Sequence, residues 1–466
     1  MKSPRRSADS AIPPALCVRN GFTILLIVCV ACGCSALPIS RSPTAAGLKP
    51  ADLVDLSSQG SAGAPPPILR ELYLQGEQVR ESQRPAVVPP KRTVLILSGG
   101  GSYGAYTAGV LCGWSETGNR PQFDVVTGVS TGALIAIFAF LGPQYDGELH
   151  RSYTTVSSKD IYRKKLLPCA LFSDSLTDSQ PLLQQIQSTV TPAVIDQIAS
   201  AHSCGRRLYI GTTDLDGHRA VVWDLGAIAS SGKPDRYELI CKLLLASAAI
   251  PGFFPPVEIP VVIDGNWYVE RHVDGGLTQP VFFRPPHFPV EQRQSSTMPE
   301  LLFGSEEYII VAGKLYADPQ PVKPKIMQII GDSLSTFLYA QNRDALVKLY
   351  MQSLLTGMRY NLAAMPGNFE GAKSAADFDR VAMNRMFEEG RRQSLTGTAW
   401  RHTPPGVEGG EEQRQRGGTS LTVVPRGAKT DENPNHLTPD HFNNGYLAPT
   451  TPFSPADGQP LSPPEF

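Results

Sequence analysis

The chain has 466 residues, with 42 Lys and Arg against 43 Asp and Glu and a formal net charge of −1, a length that supports one large domain or two medium ones. With no basic excess, the composition offers no field for nucleic acid and no global attraction to an anionic surface. Glycine and proline, 42 of each, exceed average usage and suit an ordered core flanked by poorly ordered segments.

Residues 1–37 follow the order of an export signal. Lys2, Arg5, Arg6 and Arg19 precede the apolar run Phe22–Ala31, and small residues follow. The run is shorter than the ~20 apolar residues of a comfortable membrane span. Ala31-Cys32-Gly33-Cys34 resembles a bacterial lipobox, with Cys34 the candidate for acylation and Cys32 an overlapping one. The expectation is an exported, membrane-associated protein of the cell envelope, held as a lipoprotein or by its signal anchor. Residues 38–90 are rich in Pro, Ala, Ser and Gly and read as a linker, with a short helix over Ile68–Gln78.

An α/β pattern begins at Thr93–Leu97 (TVLIL), a continuous aliphatic run suited to a central parallel strand. A Gly-rich turn and a helix to about Trp114 follow, then a buried strand, Phe123–Val129, and a nearly all-apolar helix, Thr131–Leu141. The helix is expected to be a core element. Residues 145–205 read as a helical layer. Arg207–Thr213 and Ala220–Trp223 read as strands, and Tyr237–Ala249 as a helix stopped by Pro251. Asp264-Gly265 closes a hairpin between Val261–Ile263 and Trp267–Val273. Tyr308–Gly313 is a further strand, and a helix pair is expected over about 325–390. From 395 to 466 apolar residues are sparse, as in a disordered tail. Strands alternating with helices over 93–315 predict an α/β sandwich: a mostly parallel central sheet flanked by helices.

Three motifs carry chemistry. Gly99-Gly100-Gly101-Ser102-Tyr103-Gly104 lies between a strand and a helix, where glycines allow close backbone approach and helix-start amides favour an anion. A dinucleotide site would need an acid at the end of the second strand. That strand ends instead in Gly128-Val129-Ser130-Thr131-Gly132, a GxSxG in the strand–turn–helix setting of a nucleophile elbow. A serine needs a base. The candidates are the histidines 150, 202, 218, 272 and 287 and several carboxylates, of which Asp274 stands out because Val273-Asp274-Gly275-Gly276 closes a hairpin strand on two glycines.

The three motifs, in this order, resemble the patatin-like phospholipase family, and Ala246–Pro256 (ASAAIPGFFPP) is similar to the family's segment before its Asp-Gly motif. The resemblance implies a patatin-like three-layer sandwich with a catalytic domain over 91–290, completed by a strand and helices over 291–394. It implies a lipid acyl hydrolase with Ser130 as nucleophile and Asp274 as general base of a Ser–Asp dyad. Gly99, Gly100, Gly101, Ser102 and Gly104 would form the oxyanion hole, Gly128 and Gly132 flank the elbow, and Gly275 and Gly276 form the turn at the base. The substrate would be a lipid or other acyl ester drawn from a membrane surface, with no nucleic acid partner. No cofactor or metal is implied, and no His, Asp and Glu cluster shows ligand spacing. Family members commonly carry Arg or Lys where this chain has Tyr103, which leaves a catalytically silent scaffold that binds membranes as a rival. A Ser–His–Asp hydrolase using His287 is another. An aspartate base also needs its pKa raised by burial, for which Phe253, Phe254 and Trp267 are the expected apolar neighbours. His272, two residues from Asp274 in the strand, reads as structural.

Overall fold

The structure, a computed structural model, describes residues 75–406 except 77, 83, 86–87, 166–172, 264–265 and 318–325. The export signal, Cys32, Cys34, most of the linker and the chain beyond 406 lie outside the described residues.

Continuous aliphatic runs can be buried on both faces only inside a sheet covered on both sides. β1 (Thr93–Leu97) does this: Leu95 and Leu97 face one core, with the helices Gly104–Glu116 and Thr131–Leu141, while Val94 and Ile96 face a second, with Leu346, Leu349 and Leu354 of the helix Ile326–Thr356. This period-2 split is the three-layer sandwich expected from the sequence. Around β1 lie β2 (Val125–Val129), β5 (Arg207–Asp214), β6 (Arg219–Asp224), β7 (Val257–Ile263), β8 (Asn266–Asp274), β9 (Glu306–Ile310) and β10 (Arg359–Ala363). The order across the sheet is β10-β9-β1-β2-β5-β8-β7, with β6 paired to β5. The five strands from β10 to β5 are parallel, and β6, β7 and β8 run as antiparallel additions. Two short strands, β3 (Arg163–Lys164) and β4 (Thr177–Asp178), pair separately.

The C-terminal part differs from expectation. Where a helix pair was predicted over 325–390, β10 intervenes as a sheet edge, an irregular stretch follows, and a second helix occupies Arg380–Leu395. A five-residue strand carries little periodicity, so the apolar residues of RYNLA read as part of a helix face. The fold also continues past 395. Trp400 stacks on Trp114 and Tyr308 with ring centroids 4.8 and 5.0 Å apart, and Arg401 bridges to Leu362.

Candidate active site

The site is built along one edge of β5. β6 covers the other edge from Tyr209 to Asp214, so β2 and β8 must share what remains. They do so in tandem: β2 ends with Val129 opposite Gly211, and β8 ends with Asp274 opposite Thr212. Two strands running in opposite directions therefore finish at consecutive positions of the same edge. Ser130 follows the first and Asp274 closes the second, which brings the two sequence-predicted residues together across 144 positions of chain.

Ser130 turns the chain from β2 into the helix Thr131–Leu141 with φ 57° and ψ −130°. A non-glycine residue held there stores strain of ~1–3 kcal/mol, which persists only under a tight surround. That surround is present. A side chain at Gly132 would meet the Leu97 and Ser98 carbonyl oxygens at 2.5 and 2.6 Å, and one at Gly128 the Gly132 carbonyl oxygen at 2.4 Å. The Ser130 amide donates to Ser247 Oγ (3.0 Å), and the Ser247 hydroxyl donates to the Gly211 carbonyl (2.7 Å). Ser247, fully buried at the end of the helix Arg236–Ser247, thus bolts the elbow to β5. Sequence reasoning passed over it. Its only trace was a lone hydroxyl in the apolar run Leu243–Ala249.

Asp274 is buried. Its amide donates to the Ala249 carbonyl (2.8 Å), and its own carbonyl accepts from Thr213 Oγ1 (3.0 Å), so the backbone is fixed on both sides. The Gly276 amide donates to Oδ1 at 2.8 Å, and the neighbouring Ser130 hydroxyl also favours the ionised form. A side chain at Gly275 would meet the Gly211 carbonyl oxygen at 2.5 Å. Burial outweighs both effects and lifts the carboxyl pKa from 3.8 to about 6. Phe253 and Phe254 lie beside the site, as expected. Trp267 does not: it sits near the far end of β8 and is 77% exposed.

The Gly-rich turn approaches from β1, with Gly99 against Ser130: a side chain there would meet Ser130 Cβ at 2.9 Å. Two expected oxyanion donors are engaged elsewhere. The Ser102 amide donates to the Ala375 carbonyl (2.8 Å), and the Gly104 amide closes the 3-10 turn onto Gly101 and Ser102. Among the described residues no protein acceptor takes the Gly100 and Gly101 amides. Gly101 holds φ +54°, and a side chain there would strike the Ala375 carbonyl oxygen at 2.1 Å. Tyr103, where the family commonly has a cation, packs on Gly313 and donates its hydroxyl to the Ala372 carbonyl (3.2 Å). The stretch from β10 to the last helix therefore caps the turn, a long-range packing no local signal announces.

His272 and His287 have other partners. His272 is buried with Nδ1 2.9 Å from Thr212 Oγ1 and Nε2 3.1 Å from Glu270 Oε2, a structural network. His287 is exposed and electrostatically coupled to Arg207, at the start of β5 and so at the opposite end of the strand from Ser130.

An apolar cavity begins at Ser130 and Gly101 and is walled by Leu134, Phe138, Ile186 and Phe253. The helix Thr131–Leu141 is mostly core, yet Thr131, Leu134 and Phe138, spaced i, i+3, i+7 along one face, line this space. Among the described residues no group of three His, Cys, Asp or Glu could hold a metal, and no helix is long and apolar enough to cross a membrane.

Residues 95–287 match the family described as Patatin-like phospholipase. No curated protein matches the chain. Among solved structures, VipD from Legionella pneumophila is 11% identical, covering 66% of this chain and 67% of its own, with a TM-score of 0.28. The type III effector ExoU is 14% identical over 67% of this chain and 53% of its own, at 0.26. Full-length ExoU in complex with SpcU from Pseudomonas aeruginosa is 17% identical over 57% and 53%, at 0.22. The chain spans about half the length of the ExoU chains it matches.

Proposed function

Residues 95–287 being a patatin-like phospholipase domain, we propose that this chain hydrolyses fatty-acyl esters of lipids through Ser130 and Asp274 alone. The observation that supports the proposal is the tandem edge of β5, where the strand leading to a strained serine and the strand ending in a buried carboxylate finish at consecutive positions, with Ser130 lining an apolar cavity.

The acyl chain lies in the cavity and presents its carbonyl to Ser130. Oγ bonds to the carbonyl carbon as its proton passes to Asp274, and the carbonyl oxygen takes the charge. The Gly100 and Gly101 amides and the positive start of the helix Gly104–Glu116 face that oxyanion. Collapse breaks the ester C–O bond, and the leaving alcohol takes the proton from Asp274. A water deprotonated by the same carboxylate then attacks the acyl-enzyme, releasing the fatty acid and returning the proton to Ser130. A carboxylate with pKa about 6 is ionised at neutral pH and is a stronger base than an exposed aspartate. Delivery to the cell envelope through residues 1–37, with Cys34 acylated, belongs to the same proposal.

Labelling with a fluorophosphonate tests it: wild type labels at Ser130 and hydrolyses p-nitrophenyl esters, whereas Ser130→Ala and Asp274→Asn do neither at a measurable rate. Equal hydrolysis by wild type and Ser130→Ala would refute the assignment. A folded wild type that fails to label would favour the silent scaffold, for which the loss of a cation at Tyr103 is the motivating observation.

A further inference from the structure

β8 is antiparallel to β5 and pairs His272 with Asp214, the last residue of β5. Earlier residues of β8 must therefore run on beyond the end of β5, on the side of the sheet where β2 delivers Ser130. With β7 they make a two-stranded arm. At ~3.3 Å per residue the arm carries Asn266 ~25 Å from Asp274.

The arm is densely charged at its base and mostly apolar towards its tip. At the base Arg271 pairs with Asp216 (2.8 Å), and Glu270 contacts His272. Towards the tip, residues 260–263 and 266–269 read PVVI and NWYV, and the Asp264-Gly265 pair that separates them supplies a single acidic residue. Val262, Trp267, Tyr268 and Val269 are each more than half exposed. Val262 pairs with Trp267, and Pro260 with Val269, so Pro260, Val262, Trp267 and Val269 share one face of the arm and Tyr268 projects from the other. A lone hairpin is marginal in water, and nothing in the core needs a tryptophan there.

A second feature lies at the root of the arm. β4 hydrogen-bonds to the segment that leads into β7, with Thr177 N–H donating to the Phe253 carbonyl (3.0 Å), and Tyr162 stacks on Phe253 at 4.9 Å. Phe253 walls the cavity. The paired strand β3 therefore holds Arg163 and Lys164 exposed beside the cavity wall, and neither forms an ion pair among the described residues.

We propose that the β7–β8 tip and the Arg163–Lys164 pair form a docking surface for a bilayer containing anionic lipids. Indole and phenol rings favour the water–hydrocarbon boundary, and cations favour anionic headgroups. This complementarity selects a lipid surface over an uncharged partner, and it is local, in a chain with no net basic charge. The inference rests on the proposed lipid-ester activity for its meaning, and its test does not depend on that activity.

The full-length chain carrying Ser130→Ala, which cannot turn over lipid, is mixed with phosphatidylcholine vesicles with and without phosphatidylglycerol. Brominated phosphatidylcholine should quench tryptophan emission, and Trp267→Phe should remove most of that quenching. Trp267→Ala with Tyr268→Ala should weaken binding at least about tenfold, since burying one large apolar side chain is worth more than a factor of ten. Arg163→Glu with Lys164→Glu should weaken binding to the anionic vesicles by about thirtyfold or more, at ~1 kcal/mol per lost cation. With Ser130 restored, the same variants should keep wild-type turnover of a short soluble ester. Loss of that turnover in the wild type would defeat the proposed activity and leave the docking result standing. Quenching that survives Trp267→Phe, or binding indifferent to both double variants, would overturn the docking surface. So would a hairpin-dependent dimer in light scattering without vesicle binding, which would make the arm a protein interface.

Discussion

Replacing Asp274 by asparagine should remove activity and stabilise the fold at the same time. The carboxyl is lifted by burial from 3.8 to about 6, which at ~1.4 kcal/mol per pH unit is about 3 kcal/mol of unfavourable ionisation in the folded state. Its folded pKa lies above its unfolded one. As pH rises from about 4 to about 6, the unfolded chain therefore releases this proton first and wild-type stability falls through that window. Above it the penalty is constant. Asparagine keeps a carbonyl for the Gly276 amide and carries no charge, so Asp274→Asn should be more stable than wild type by up to about 3 kcal/mol at pH 8. The gain should vanish near pH 4. Urea unfolding of both proteins at pH 4.5, 6 and 8 measures it, alongside ester hydrolysis at pH 8. A variant no more stable at pH 8, or equally stabilised at every pH, would refute the claim that Asp274 is held ionised against its surroundings.

The same carboxyl gives kcat/KM an acid limb: activity should fall below about pH 6 with a slope of one proton, and a limb near pH 4 would mean that the base is solvated. Leu134→Trp should narrow the cavity a turn away from Ser130 and shift preference towards shorter p-nitrophenyl esters while leaving acetate turnover near wild type; an unchanged chain-length profile would place the acyl chain elsewhere. Ser247→Ala leaves the buried Ser130 amide and Gly211 carbonyl without their shared partner, so stability should drop by about 1–3 kcal/mol and kcat should fall with KM little changed. Wild-type kcat in a folded Ser247→Ala protein would show that the elbow needs no bolt.

What was legible in the sequence follows from how far each signal reaches. β1, the elbow and the hairpin that ends on Asp274 are announced within ten residues by an aliphatic run, by glycines where side chains collide, and by a two-residue turn. The motif order also singled out Ser130 and Asp274, and the strands that carry them end at consecutive positions of β5. Contacts made by distant chain were not legible. Ser247 bonds to residues 117 and 36 positions earlier, and Ala375 takes the Ser102 amide from 273 positions away, which removes Ser102 from the expected oxyanion donors. Trp267 was misplaced for a related reason. Proximity in sequence to Asp274 suggested a shared pocket, but a nine-residue strand separates its ends by more than the width of a cavity.

The tandem edge of β5 also divides the dyad by firmness. β2 is held to β5 through five paired positions and flanked by β1, whereas β8 meets β5 through three, Thr212 to Asp214, before it leaves the sheet. The nucleophile should therefore sit in the part of the sheet that opens last, and the base at the root of an arm whose pairing with β5 is three residues long. Slow amide exchange at Val126–Val129 with faster exchange at His272–Asp274 would be its signature. Whatever steadies the free end of that arm also steadies the carboxylate at its root.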